Sequence, residues 1–317
     1  MVFIISEKDD VTTNYIIEWL IAKEIKFLRL NTQSYSPLTY KLSSNIGQIQ
    51  LLGKEISSND IVIHRRGRLN ITPRGINQLE VFKYIKQEND AIVKSLEFHL
   101  KDNITYIGSF YKEDQNYKLL NLYYAQKAGL KIPKTIVTGL KKELVRFFNS
   151  EKRVITKTIR SPVNINIEDI HHNSSKTFLI KQEHLDRLDN MFSPILAQKY
   201  VEKIYEIRVF IFDSLYFSMA IFSQENQKTK IDYREYDAYL PNRCIPVNLP
   251  DEIKTQIDEF LKLSGINSGS IDIIVTPENE YVFLEINPQG QLDWVSKNCN
   301  YYIEKNIVDH LISKKNG

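Results

Sequence analysis

Three side chains with oxygen donors fall close together late in the sequence. Asp272 stands in the apolar run Ser-Ile-Asp-Ile-Ile, and Glu285 and Asn287 stand in Val-Phe-Leu-Glu-Ile-Asn-Pro. Alternation along a strand puts Glu285 and Asn287 on one face, and pairing with the preceding strand can set Asp272 opposite them. Carboxylate and amide oxygens converging in this way suit a hard cation such as Mg2+ that bridges phosphates. The plainer alternative is an edge strand whose polar face meets water. Three ligand-type residues on two neighbouring strands favour the metal.

Two lysines extend the pattern. Lys157 lies inside the β-forming run Val-Ile-Thr-Lys-Thr, and Lys118 lies on an expected helix. An ammonium group at a strand centre resists burial unless paired, and a nucleotide phosphate would pair it; a solvated strand face is the alternative. Between the lysines and the acids runs Leu-Ala-Gln-Lys-Tyr-Val-Glu, 196–202, followed by Tyr-Glu-Ile-Arg-Val, 205–209. An apolar strand ending in Gln198, Lys199, Tyr200 and Val201 can offer backbone N–H and C=O groups to an adenine edge. Glu206 can then accept from ribose hydroxyls, and Arg208, on the same face, can grip a phosphate or carboxylate in a bidentate manner. Taken alone, the segment also reads as an amphipathic strand with a surface ion pair.

These residues need a frame of two or three lobes, which 317 residues can supply. Apolar residues make up 42% and charged residues 26% of the chain, ordinary values for a globular protein, and the net charge of +3 gives no whole-molecule field for nucleic acid. Cys244 and Cys299 are the only cysteines, too few for a disulfide framework and in no zinc-binding spacing. Acidic residues interrupt the N-terminal apolar stretch after six positions, so neither a signal peptide nor a membrane span is expected there. The expected location is the cytoplasm.

The apolar runs predict strands at 2–5, 26–30, 48–52, 60–64 and 104–107. A helix capped by Thr12 or Thr13 lies among them, as does a long helix over 77–100 that is broken or bent near Asn89. This βαβ opening lacks a GxGxxG fingerprint. A second lobe starts near Tyr111 with a helix from Glu113 and Asp114 to Ala128, stopped by Gly129 and Pro133. Strands at 135–138 and 153–158 flank a helix over 141–149, and 159–180 reads as a hairpin or loop, with His171 and His172 exposed. The third lobe is expected to carry antiparallel strands at 194–201, 206–212 and 215–221. A helix over 250–263, a strand pair at 270–276 and 280–286, and a terminal helix over 301–313 complete it. The domain limits are placed at 1–110, 111–195 and 196–317.

Taken in this order, Lys118, Lys157, 198–201, Glu206, Arg208, Asp272, Glu285 and Asn287 resemble the ATP-grasp superfamily across about 111–296. The resemblance implies α+β lobes of the α/β class: an N-terminal pre-ATP-grasp α/β domain, a central domain and a C-terminal antiparallel-sheet domain. It implies ATP between the last two, with adenine at Lys199 to Val201, ribose at Glu206, and Mg2+ at Asp272, Glu285 and Asn287. Within the superfamily the chain is similar to the graspetide (microviridin-type) peptide macrocyclases, in particular the grasp-with-spasm maturases. Ile-Val-Ile-His-Arg-Arg-Gly at 61–67, the 205–209 segment and Lys-Ile-Asp-Tyr-Arg-Glu-Tyr at 230–236 carry this. Asp232 and Arg234 match that family's Asp-x-Arg element, where Tyr233 replaces the usual Trp.

The resemblance implies a ribosomal precursor peptide, leader plus core, as substrate, and often a homodimeric enzyme. Asp or Glu carboxylates would be activated as acyl phosphates and joined to Thr or Ser hydroxyls, or to Lys amines. Arg208 and Arg234 are candidates for holding the substrate carboxylate or the γ-phosphate. Asp232 would either orient Arg234 or act as a base. The run Arg65-Arg66-Gly67-Arg68 is either a solvated face or part of the acidic-peptide site. The leader is expected at 159–185, with Ile165, Ile167 and Phe178 as apolar anchors. The competing functions are an amino-acid-adding ATP-grasp ligase that forms amides and a non-catalytic nucleotide-binding partner.

Overall fold

The computed structural model describes residues 1–42, 47–72, 78–160, 164–167, 170–173, 177–225, 229, 233 and 239–316. The N-terminal lobe contains β1 (Val2–Ser6), α1 (Val11–Ala22), β2 (Phe27–Asn31), β3 (Leu38–Leu42), β4 (Gly47–Leu51), β5 (Lys54–Glu55), β6 (Ile61–His64), α2 (Leu79–Asn103) and β7 (Thr105–Ile107). Its main sheet has the order β2-β1-β6-β7 and is parallel throughout. Both faces of such a sheet must be covered, hence the unbroken apolar runs of β1 and β6, which are buried along their length. The 48–52 strand belongs instead to a small antiparallel β3-β4-β5 sheet. The cap of α1 is Asp10, whose carboxylate accepts from Thr12 and Thr13 in the first turn (2.7 and 2.6 Å). No break falls at Asn89: α2 runs uninterrupted for 25 residues.

The next segment carries α3 (Phe110–Asp114), α4 (Lys118–Lys127), β8 (Thr135–Leu140), α5 (Lys141–Glu151), β9 (Val154–Lys157), β10 (Asn164–Ile167), β11 (Ile170–Asn173), β12 (Phe178–Leu179), α6 (Gln182–Asp186) and β13 (Met191–Lys199). The single helix expected from Glu113 to Ala128 is two, separated at 115–117 where Asn116 donates to the Ile286 carbonyl (3.0 Å). The central sheet has the order β12-β9-β13-β8, and β10 and β11 pair as the expected hairpin. Residues 191–199 therefore belong to the central sheet, so the expected break between 195 and 196 falls inside a strand. The change of sheet comes at 200–204.

The C-terminal segment carries β14 (Tyr205–Phe212), β15 (Leu215–Phe222), β16 (Arg243–Pro246), α7 (Asp251–Ser264), β17 (Ser268–Val275), β18 (Tyr281–Asn287), α8 (Asp293–Cys299) and α9 (Ile303–Asn316). Its five strands are antiparallel in the order β16-β15-β14-β17-β18, the expected C-terminal sheet. The helix over 293–299 had no counterpart among the expected elements. One face of this sheet shares a core with the N-terminal lobe: Phe210, Phe212, Met219 and Ile221 pack with Val2, Ile4, Ile61, Ile63 and α9. The other face packs Ile207, Val209, Ile271, Ile273 and Phe283 against α7 and α4. Helix α4 of the middle segment thus rides on the C-terminal sheet. Among the described residues no helix is long and apolar enough to cross a membrane.

Candidate active site between the central and C-terminal sheets

Strand pairing assembles the acids. Asp272 on β17 lies opposite Glu285 on β18 and, on its other side, opposite Arg208 on β14. A bulge follows at once: Ile273 pairs with Phe283, which leaves Leu284 as the extra residue. Leu284 and Glu285 consequently line the same cavity although they are sequence neighbours. Asn287 pairs at the level of Ser270, and its Oδ1 accepts from the Gln289 amide (3.0 Å). Close approach of the following turn to β17 is possible because position 290 is glycine; a Cβ there would stand 2.0 Å from the Ser270 Oγ.

Cations surround these acids. Arg208 is buried, and its Nη1 donates to Tyr233 (2.5 Å) and meets Asp272 at 3.2 Å. Burial opposes its charge, but Asp272 and Tyr233 more than offset this and raise its pKa above the ordinary value. The Tyr233 hydroxyl also donates to Asp272 (3.2 Å), and its ring stacks on Trp294. Lys118 is the first residue of α4, where the positive end of the helix dipole disfavours a cation. Its ammonium lies 3.6 Å from Glu285 and donates to the Thr158 carbonyl (3.1 Å), so it spans from the acid to the end of β9.

Two connected spaces result. The walls of the inner cavity include Lys157, Gln198, Lys199, Tyr200, Val201, Glu206, Asp272 and Glu285. The structure therefore brings together eight of the residues proposed from the sequence. The Lys199 and Tyr200 amides are already bonded, to the carbonyls of Lys134 and Arg153. The Val201 amide and the Tyr200 carbonyl have no partner among the described residues and are the groups the hinge can offer. Gln198 is 1% exposed; its Nε2 donates to Thr135 (2.9 Å), while its buried Oε1 has no hydrogen-bond partner among the described residues. An acceptor left so costs free energy unless a ligand satisfies it. Glu206 accepts from Ser223 (3.2 Å) and from the buried ammonium of Lys203, a residue the sequence reading did not single out.

The outer cleft is lined by Lys118, Lys157, Arg208, Asp272, Glu285 and Asn287, together with Arg66 and Glu113. Of the arginine run, Arg65 is buried and donates to Thr12 (3.3 Å) and the Gly290 carbonyl (3.2 Å), which ties the N-terminal lobe to the C-terminal one. Arg68 lies over the Phe110 ring and pairs with Asp90. Arg65 is therefore no solvated face, and Arg66 is the member of the run that lines the cleft. His64, also buried, bonds Tyr106 and the Gly67 carbonyl (both 2.7 Å), and burial lowers its pKa. Asp232 and Arg234 lie outside the described residues, as do the side chains of Ile165, Ile167, His171 and His172. Phe178, on the edge strand β12, is 51% exposed.

The donors are two carboxylates and one amide oxygen; among the described residues no group of three His, Cys, Asp or Glu gathers. That set fits magnesium, which is commonly held by one or two carboxylates with the remaining ligands from phosphates and water.

No family model matches the chain, and no curated protein does. Solved structures do. A RiPP-associated ATP-grasp ligase of Chryseobacterium gregarium, in complex with ADP and a leader and core peptide, superposes with a TM-score of 0.81 at 26% identity, over 99% of this chain and 96% of that one. The macrocyclase MdnC of Microcystis aeruginosa, bound with the precursor peptide MdnA, gives 0.76 at 25% identity, over 99% and 100%. The ATP-grasp ligase PsnB, complexed with a minimal precursor, Mg and ADP, gives 0.76 at 18% identity over 100% and 98%, a likeness of fold.

Proposed function

We infer that this protein, an ATP-grasp ligase, joins Asp or Glu side-chain carboxylates of a ribosomal precursor peptide to Thr or Ser hydroxyls of the same peptide, closing ω-ester rings. The observation that carries the reading is the placement of Asp272 and Glu285 on paired strands. They face Lys118 and Lys157 across a cleft that opens from the inner cavity toward Arg66 and Arg208. The end-to-end likeness to ligases solved with precursor peptides supports the choice of substrate.

Adenine would lie in the inner cavity against the Tyr200 carbonyl, the Val201 amide and the Gln198 Oε1, with ribose toward Glu206. Lys118 and Lys157 would neutralise the phosphates, and Asp272, Glu285 and Asn287 would hold Mg2+. When bound, magnesium supplies charge neutralisation and alignment of the phosphates. The peptide carboxylate takes the terminal phosphoryl group and ADP leaves. A hydroxyl then bonds to the acyl carbon, the bond to phosphate breaks, and one water is lost overall per ring. Arg208 is locked to Asp272 and Tyr233, so in this reading it fixes the acid's orientation while Arg66 would meet the incoming carboxylate. The leader would dock on the central lobe near β10 to β12, with Phe178 as an exposed anchor.

The test is incubation of the purified protein with ATP, Mg2+ and a cognate precursor peptide. The expected product has lost one water mass per ring and regains it on mild alkaline hydrolysis. An unchanged peptide mass, with wild type and Glu285→Ala equal in ATP turnover, would sink this reading.

A further inference from the structure

We propose that Glu113 is the base that accepts the hydroxyl proton in the ring-closing half-reaction. The proposal rests on the ligase reading above. Ring closure needs such a group, because an aliphatic hydroxyl is not ionised near neutral pH and becomes nucleophilic only as its proton leaves. As the hydroxyl oxygen bonds to the acyl carbon, the carbon–oxygen bond to phosphate breaks with its electron pair on phosphate. The proton passes to the Glu113 carboxylate and from there to water.

The outer cleft has several carboxylates, and their surroundings separate their roles. Asp272 is paired with Arg208, Glu285 with Lys118, and Asp293 with Lys297 at 3.9 Å. Each of these carboxylates is already engaged by a cation. Glu113 lines the same cleft from α3 and makes no ion pair among the described residues. Its Oε2 accepts from the side-chain amide of Gln289, a neutral donor, and its Oε1 has no hydrogen-bond partner among the described residues. Gln289 is fixed in turn by its backbone bond to Asn287, so Glu113 is registered against the end of the acid-bearing strand β18.

The charges facing it are Arg66 and Arg65 beyond β6, Glu7 beyond β1, and Asp114 on its own helix. Burial pushes the carboxyl up, Arg66 and the Gln289 bond pull it down, and Glu7 and Asp114 push it up again. The balance is a pKa of about 7. A base is most effective when its pKa lies near the working pH. No sequence pattern marks Glu113, because its partner stands 176 positions away.

Hydroxylamine separates the two half-reactions, since it captures an acyl phosphate as a hydroxamate without needing a base to ionise it. With ATP, Mg2+ and precursor peptide, ring closure in Glu113→Gln should fall by about a hundredfold to ten-thousandfold. Hydroxamate formation should stay close to the wild-type rate, so hydroxamate per ring rises by about the factor that ring closure loses. The wild-type rate of ring closure should rise through about pH 7, and that limb should be missing in Glu113→Gln. Gln289→Met removes a bond that favours the ionised form, so its limb should move to higher pH. Equal losses of rings and hydroxamate, undiminished ring closure, or an unmoved limb in Gln289→Met would overturn the assignment. So would a raised hydroxamate-to-ring ratio in Asp232→Asn with none in Glu113→Gln. A wild type that yields neither hydroxamate nor rings would overturn the ligase reading, and this inference with it.

Discussion

The two sheets facing each other across the cleft differ in how they are buried. In the C-terminal sheet every residue of β17 and nearly all of β14 are buried, between α4 and α7 on one side and the N-terminal lobe with α8 and α9 on the other. The central sheet gathers a core of Leu144, Val154, Ile180, Leu185 and Ala197, and the first half of β13 is largely exposed. The carboxylates proposed to hold a metal therefore stand on the deeply packed sheet. Lys157 and Gln198, which would close over a nucleotide, stand on the thinly packed one. Precision at a site comes from rigid supporting elements, whereas a lobe that must admit and release a ligand belongs at the low end of local stability.

Asp272 tests the deeply packed side most severely. Asp272→Ala leaves the Arg208 guanidinium buried without its ion partner, which costs about 3–5 kcal/mol, and it removes a proposed metal ligand as well. Urea unfolding followed by tryptophan fluorescence should show this loss, since Trp294 stacks on Tyr233 beside the pair. Replacing the pair together, as Asp272→Leu with Arg208→Met, should recover much of the stability, because apolar residues of similar volume often match a buried ion pair. It should not recover ring formation. A single variant that unfolds like the wild type would show that the sheet is not the rigid floor described here.

Hydrogen exchange reads the contrast directly. Without ligand, amides of β9 and β13 should exchange faster than those of β14 and β17. Saturating ATP with Mg2+ should narrow the gap, since a ligand at a hundred times its Kd stabilises the form that binds it by about 2.7 kcal/mol. In Lys157→Ala the narrowing should shrink, because that lysine lines both spaces. Uniform protection across the two sheets before nucleotide is added would break the comparison.

The same contrast explains what could be read from the sequence. The acid pair was legible because its partners are successive strands joined by a short turn, so local alternation sufficed. Strands 191–199 and 205–212 looked equally consecutive, yet β13 pairs back to β8 and β9. Neighbours in sequence are neighbours in a sheet often but not always, and nothing in the composition of β13 marks the exception. The helix break at 115–117 has neither Gly nor Pro; Asn116 is drawn to a carbonyl 170 positions away. The Lys203–Glu206 pair, the burial of Arg65 and the Glu113–Gln289 contact are likewise products of tertiary packing. The cationic and acidic residue types were visible, but their pairing was not.

The smallest expected effect concerns the join between the N-terminal and C-terminal lobes. Burial alone would raise the pKa of Asp10, but the hydrogen bond from Thr13, the charge of Arg65, the bond from Thr12 and the charge of Arg66 together lower it. A carboxyl whose folded pKa lies below its unfolded value stabilises the fold above the unfolded value, about 3.9. That contribution is lost as the pH falls through the folded value. Unfolding of the fused N- and C-terminal body should therefore become easier with acid below about pH 4. Asp10→Asn should flatten this acid limb and lower stability at neutral pH, where Arg65 loses the charge that faces it. Exchange from β9 and β13 should not follow Asp10, since its hydrogen-bond partners lie on β1 and α1. If the central lobe's protection falls in step with the body's, the two sheets unfold as one unit and their unequal burial has no consequence for stability.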